Sequence, residues 1–191
     1  MELHTPRLTL RPYSAEDFAA VHRFASDPQL SAYVEWGPNT PQDSRDFLVS
    51  CLAEGQADPR AAYTFAITRS DGGEGAGEPI GTVGLTLDPT RRTDNDGATT
   101  PAGPGTGEVG YVIAADQWGR GYATEAAAAV VGFGFGVLGL ERIRATCRPA
   151  NAASARVLEK TGMVLEARLP AHKLIRGRWE DSLLYAISGP A

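Results

Sequence analysis

The residues best placed for chemistry lie between Glu108 and Ala126, where the chain reads as a strand, a loop holding Gly119 and Gly121, and the start of a helix. Glycines at such a junction let the backbone come close to a ligand. A helix N-terminus offers free N–H groups and partial positive charge, which suit a phosphate. Arg120 adds a full charge. A plain tight turn before a helix is the competing reading of the same residues. The dinucleotide pattern G-x-G-x-x-G fails at its third position, Thr124, and no acidic ribose ligand follows at a suitable strand end. No Gly-Lys-Ser/Thr exists for a Walker A loop. A weaker, nucleotide-type pyrophosphate loop is left.

The elements that must position this loop follow from patterning. Arg7 to Arg11 alternates polar and apolar residues as a strand stopped by Pro12. Ser14 with Asp17, and Thr40-Pro41 with Asp43, are helix start signals, and Asp27-Pro28 ends the first of these helices. Ala62 to Thr68 and Ile80 to Leu87 read as a hairpin across a Gly-rich turn. Glu108 to Ala114 is a strand. In Ala123 to Leu138, Val131, Phe133, Phe135 and Val137 alternate with glycines and imitate a strand. The Glu-Ala run at 125–129 is made of strong helix formers and decides for one helix, weakened by its glycines. Arg142 to Arg148 is a strand, Ala152 to Lys160 a helix ended by Gly162, and Met163 to Ala171 and Trp179 to Ile187 two strands joined through the turn at Arg176-Gly177. Residues 88–107, almost devoid of apolar residues, are expected to form a long mobile loop inside one domain spanning 1–191. The mixture predicts an α+β fold with α/β-like character.

Composition narrows the function classes. The chain has 191 residues, 42% hydrophobic and 21% charged, which fits one folded domain. No apolar run approaches a membrane helix, and the N-terminus lacks an apolar signal core, so a cytoplasmic location is expected and a membrane partner is not. A net charge of -5 argues against a nucleic-acid partner. Cys51, Cys147, His4, His22 and His172 show no metal-ligand spacing, so no metal site is expected.

Two motifs carry a family resemblance. Trp118-Gly119-Arg120-Gly121-Tyr122-Ala123-Thr124-Glu125-Ala126 resembles the acetyl-CoA loop of the GNAT superfamily of N-acetyltransferases, Q/R-x-x-G-x-G/A, with Gly121 and Ala123 matching and Trp118 in place of the usual Gln or Arg. Asn151, Ser154, Arg156, Leu158, Glu159, Lys160, Gly162 and Met163 resemble N-x-x-S-x-R-V-L-E-K-x-G-F of the RimJ/RimL-like branch, whose known members acetylate ribosomal-protein N-termini. Thr5 to Arg11 and Gly177 to Tyr185 resemble that branch's opening strand and closing hairpin, so the likeness covers nearly the whole chain.

The resemblance implies the GNAT fold: a mixed, mostly antiparallel central sheet with a splayed parallel strand pair, flanked by about four helices. It implies acetyl-CoA as acetyl donor and direct transfer to a primary amine, either a protein N-terminal α-amine or a small amine. A non-catalytic acyl-CoA sensor or interaction module of the same fold is the alternative, and a homodimer is left open. The backbone of Tyr111, Val112 and Ile113 would pair with the pantetheine arm, residues 118–124 (Trp118, Gly119, Arg120, Gly121, Tyr122, Ala123, Thr124) would hold the pyrophosphate, and Asn151 would bond the pantetheine chain. Asn151 also suits a helix cap. Many relatives place a Tyr at the position of Leu158 to protonate the departing thiolate; here Ser154 is the substitute, with Glu108 as the expected base. Tyr33, Trp36 and Trp179 are candidates for an acceptor pocket. Cys147 reads as a core residue rather than a nucleophile.

Overall fold

The structure is a computed structural model that describes residues 1–73, 75–88, 91–93, 99–101 and 105–189. Strands β1 (Leu3–His4) and β2 (Leu8–Arg11) lead into helices α1 (Phe18–Ala25), α2 (Pro28–Ser31) and α3 (Pro41–Gln56). Then come β3 (Ala62–Arg69), β4 (Pro79–Leu87), β5 (Arg91–Thr93), β6 (Thr99–Pro101) and β7 (Thr106–Ile113). The chain continues with α4 (Tyr122–Gly136), β8 (Arg142–Cys147), α5 (Ala152–Lys160), β9 (Val164–Ile175) and β10 (Arg178–Ser188). Eight of the described strands form one sheet in the order β1-β2-β3-β4-β7-β8-β10-β9.

Its neighbours run antiparallel except β7 and β8, which pair in parallel over only Thr106–Glu108 and Arg142–Arg144. Beyond that point β7 stays with β4 as far as Ile113, while β8 stays with β10 as far as Cys147. The two strands therefore part like a V in the middle of the sheet.

One face of the sheet is covered by α4 and α5. Leu10, Ile67, Val83, Leu85, Val109 and Ile143 meet Ala126, Val130, Phe133 and Leu158 there. The other face is covered by α1 and α3, where Val21, Phe24 and Leu48 pack with Tyr13 and Ala66, and the side chain of Val112 leans on this cluster. Local signals fix the helices. Thr40 and Asp43 form a reciprocal capping box with Pro41 in the first turn of α3, and Ser14 with Asp17 does the same for the short 3-10 turn before α1. The glycine-broken run is a helix as expected. A Cβ at Gly134 would lie 2.6 Å from Ile143 Cδ1, so a glycine lets α4 approach β8, whereas Gly132 and Gly136 face open space and the packing gives no reason for them.

α1 ends just before Asp27-Pro28 as expected, and Asp27 accepts from the Gln29 amide and starts the single-turn helix α2. The stretch at 88–107 is not loop throughout. Within 88–107, β5 and β6 pair antiparallel with Arg91 opposite Pro101 and Thr93 opposite Thr99, and β7 begins at Thr106. Threonines at 93, 99 and 100 favour extended backbone even without apolar neighbours. The rest of the expected mobile loop, residues 89–90, 94–98 and 102–104, lies outside the described residues. Among the described residues no helix is long and apolar enough to cross a membrane.

Candidate active site

A cleft of about 1400 Å³ runs through the V and past the start of α4. The free edge of β7 follows from hydrogen-bond parity. Asp88 N donates to Thr106 O at one end of the β4–β7 ladder and Ala114 N to Ile80 O at the other, so even-numbered residues of β7 are paired towards β4. Past the last β8 pair at Glu108, the backbone groups aimed into the opening are those of Tyr111 and Ile113. The amide of Val112 is turned to Thr82 instead, which corrects the expectation that three consecutive residues present their backbone to a ligand. Trp118 does not face outward as a free loop residue: its indole Nε1 donates to Ile113 O at 2.7 Å and pins the loop to the strand end.

Gly119 (φ +77°) and Gly121 (φ +82°) are left-handed, which is why glycine is needed at both places. Gly121 is the N-cap of α4 and brings no side chain to its first-turn amides, so those of Tyr122, Ala123 and Thr124 lack an intrahelical acceptor. Trp118, Gly119, Tyr122 and Ala123 line the cleft; Arg120, Gly121 and Thr124 lie just outside its lining. Gln117 Oε1, on the cleft wall and sealed from solvent, has no donor among the described residues. The loop is braced from behind. Glu125 Oε1 accepts from Thr5 Oγ1 (2.6 Å) and Arg7 N (2.9 Å), Glu125 Oε2 accepts from Arg7 Nε (2.7 Å), and Arg7 Nη1 donates to Arg120 O (2.9 Å).

Across the V, Asn151 caps α5 through Oδ1, which accepts from Ser154 N at 3.0 Å. Ser154 Oγ lies 3.0 Å from the Tyr111 hydroxyl, which is also 3.1 Å from Ser154 O. Burial pushes the Tyr111 phenol above its ordinary range, only partly opposed by the Ser154 contact, so it stays protonated. Leu158 is fully buried beneath α5 and serves the core. Tyr111 thus brings a phenol to Ser154 from β7, a contact between residues 43 positions apart that the sequence pattern does not reveal. Cys147 lines the same corner, and burial raises its thiol above the ordinary value, only partly opposed by Ser154, which favours the protonated form.

Glu108 belongs to the other face, with Gly110 and Val112. Its Oε2 accepts from Arg144 Nε at 3.2 Å, and Arg144 is gripped two-pronged by Asp88 at 2.7 and 2.9 Å. Burial alone would lower the Arg144 guanidinium, but the hydrogen bonds it donates to Asp88 and Glu108 outweigh this and raise it above its ordinary value. Sequence reading missed Arg144 because an alternating polar residue in a strand looks like an ordinary solvent-facing one.

These features fit an acyl-CoA: an open strand edge for an amide-bearing arm, an orphaned acceptor beside it, and free amides at a helix start for phosphates. Residues 7–164 match the acetyltransferase (GNAT) domain model. The chain belongs to the GNAT acetyltransferase family. It is 29% identical over 189 residues to the uncharacterized N-acetyltransferase p20 of Bacillus licheniformis, covering 97% of this chain and 94% of that one. A GNAT-family acetyltransferase from Bacillus anthracis superposes with a TM-score of 0.76 at 29% identity, covering 98% of both chains. RimJ of Mycobacterium smegmatis, solved in complex with CoA-disulfide, superposes with a TM-score of 0.76 at 26% identity, over 98% of this chain and 86% of that one. The protein is thus an acetyl-CoA-dependent N-acetyltransferase with structural neighbours among the RimJ/RimL enzymes.

In this acetyltransferase the α1–α3 side of the cleft is walled by residues 33–37. Arg148 donates to Ala32 O (3.2 Å) and Val34 O (3.0 Å), Arg176 to Ser31 O (2.8 Å), and Lys173 pairs with Glu35 (3.0 Å). Tyr33 and Trp36 line this wall, and Tyr33 meets the Trp118 ring edge-on at 6.2 Å. Trp179 does not line it. It stands opposite Leu174 in the β9–β10 ladder, and alternation sends Lys173 and Ile175 to the cleft and this exposed pair to the far face.

Proposed function

We propose that this acetyltransferase moves acetyl directly to a primary amine, a small amine or a protein N-terminal α-amine, with donor and acceptor meeting through the V from opposite faces of the sheet. One observation carries the reading: Glu108 faces the α1–α3 side of the opening, while Tyr111 and Ser154 meet at its α4–α5 side. Acetyl-CoA supplies an activated acyl group and a thiol leaving group. The amides at the start of α4 hold its pyrophosphate, the edge of Tyr111 and Ile113 pairs with its pantetheine arm, and Asn151, whose oxygen is spent on the helix cap, offers its side-chain N–H. The Tyr111 amide, on the same free edge and nearer to Glu108 and Ser154, polarises the thioester carbonyl.

On the other face Glu108 draws in the ammonium group and takes a proton from it, directly or through water, using Oε1, whose one described contact is a long 3.5 Å approach from Thr146. Arg144 keeps that carboxylate oriented. Ser154 gives its proton to the departing sulfur and regains one from solvent through the open cleft, and the Tyr111 hydroxyl, which burial keeps protonated, holds Ser154 in place. The test is acetyl-CoA turnover over a panel of polyamines, amino sugars, amino-acid amides and N-terminal peptides. Consumption with at least one primary amine, slowed roughly 10-fold or more in Ser154→Ala, is expected. Donor binding without turnover against any amine in the panel overturns the reading.

A further inference from the structure

The four contacts that join Thr5 and Arg7 to Glu125 and Arg120 tie the turn between β1 and β2 to the first turn of α4 and the loop before it, from the side away from the cleft. Two physical points make this more than a surface ion pair. First, Glu125 sits in the first turn of the helix whose N-terminus faces the donor phosphates. A free carboxylate there would repel an anion and offset the attraction of the helix end. Burial by itself would raise the Glu125 carboxyl, but the hydrogen bonds from Thr5 and Arg7 prevail and hold it below its ordinary range, so it is ionised and its charge is met by Arg7. Second, the Arg7 fork divides its donors between that carboxylate and the Arg120 carbonyl. The peptide joining the two left-handed glycines is therefore held with its oxygen pointing backwards. A backbone whose carbonyls are fixed on one side presents its amides on the other. The side chain of Arg7 also fills the space that a Cβ at residue 121 would enter, 3.3 Å from Nη2.

We infer that Arg7 and Glu125 are positioning residues for donor recognition: the pair pre-shapes the loop at 119–124 and cancels the one negative charge at the start of α4, without touching the donor. The inference rests on reading that loop as the pyrophosphate site. It assigns a binding task to the turn that leads into β2, and it makes Arg7 a poor direct phosphate ligand, because its charge is already spent.

The test compares dissociation constants for CoA and for pantetheine, which keeps the arm and lacks the pyrophosphate and nucleotide, by ligand-observed NMR on the full chain. Loss of aligned, charge-assisted hydrogen bonds weakens binding roughly 10- to 100-fold. The expected result is that Arg7→Ala and Glu125→Gln cut the ratio of CoA to pantetheine affinity by about that factor, and that Arg7→Lys, which keeps the charge and loses the fork, does not restore it. Glu125→Gln is nearly isosteric and reads the same ratio if Arg7→Ala does not fold. Tighter CoA binding in Glu125→Gln would show that Arg7 is a direct phosphate ligand once freed, and overturns the inference. Equal weakening for both ligands, or none, reduces the pair to a fold contact and also overturns it. If the wild type binds pantetheine as well as CoA, the pyrophosphate reading itself falls.

Discussion

Tyr111→Phe removes one oxygen atom and leaves the ring, so it isolates the contact with Ser154. That contact is a neutral hydrogen bond of 3.0 Å between a buried phenol and a hydroxyl at the mouth of the V. Such a bond nets about 0.5–1.5 kcal/mol. If all of it is expressed when sulfur leaves, kcat falls roughly 2- to 13-fold. Ser154→Ala removes the proton donor itself, for which a loss of roughly 10- to 1000-fold is expected, with water filling in partly. The double variant should then be no slower than Ser154→Ala, because the phenol has nothing left to orient. The assay is kcat at saturating acetyl-CoA and amine for the four proteins of the cycle, with CoA affinity and Tm followed in parallel. If the two losses multiply, or if Tyr111→Phe lowers Tm while kcat is unchanged, the phenol merely ties β7 to α5 and the reasoning is refuted.

Other expectations can be checked as directly. Gly121→Val forces a β-branched residue to φ +82°, at a cost of about 1–2 kcal/mol, and should abolish the rise in Tm that CoA produces while the apo protein still unfolds cooperatively. Glu108→Gln should slow turnover most at low pH, where the amine is protonated, with the deficit shrinking as pH rises; a constant ratio across pH would remove Glu108 as the base. Arg144→Met should leave CoA affinity unchanged and slow turnover; an unaltered rate would show that Glu108 needs no orienting partner. Burial would raise the Asp17 carboxyl, but the two-pronged Arg11 contact and the Ser14 amide hold it below the ordinary range of about 3.9. Its stabilisation is therefore present above that range and lost as pH falls below it. The difference in urea midpoint between wild type and Asp17→Asn should shrink in acid.

The sequence was most legible where chemistry is local. Thr40-Pro41 with Asp43, Asn151 and Gly162 mark helix ends because capping is decided within a few residues, and α5 has the bounds its caps announce. The two glycines at 119 and 121 marked a turn before a helix, and the backbone is left-handed at both. Legibility failed where the answer depends on partners far along the chain. Alternation shows which residues of β7 share a face, but not which edge remains free, so Val112 could not be separated from Tyr111 and Ile113. The ties of Arg144 to Asp88 and of Arg7 to Glu125 span 56 and 118 positions and leave no local trace. Trp179 was misassigned because the irregular register between β9 and β10, with shifts after Glu180 and Leu184, hides which side of the hairpin meets the cleft.

The gap between β7 and β8 makes the sheet a partition with a single window. Two molecules that reach the window from opposite rooms do not compete for space, and neither has to depart before the other arrives. In the steady state this means both must be present together: reciprocal initial-rate plots should intersect rather than run parallel. An inert amine analogue should raise the apparent requirement for the acceptor without displacing the donor. A partition also sorts evolutionary change. On the proposed reading, residues 33–37 with Lys173 and Ile175 can be rewritten to admit a different acceptor while the loop at 119–124 stays as it is.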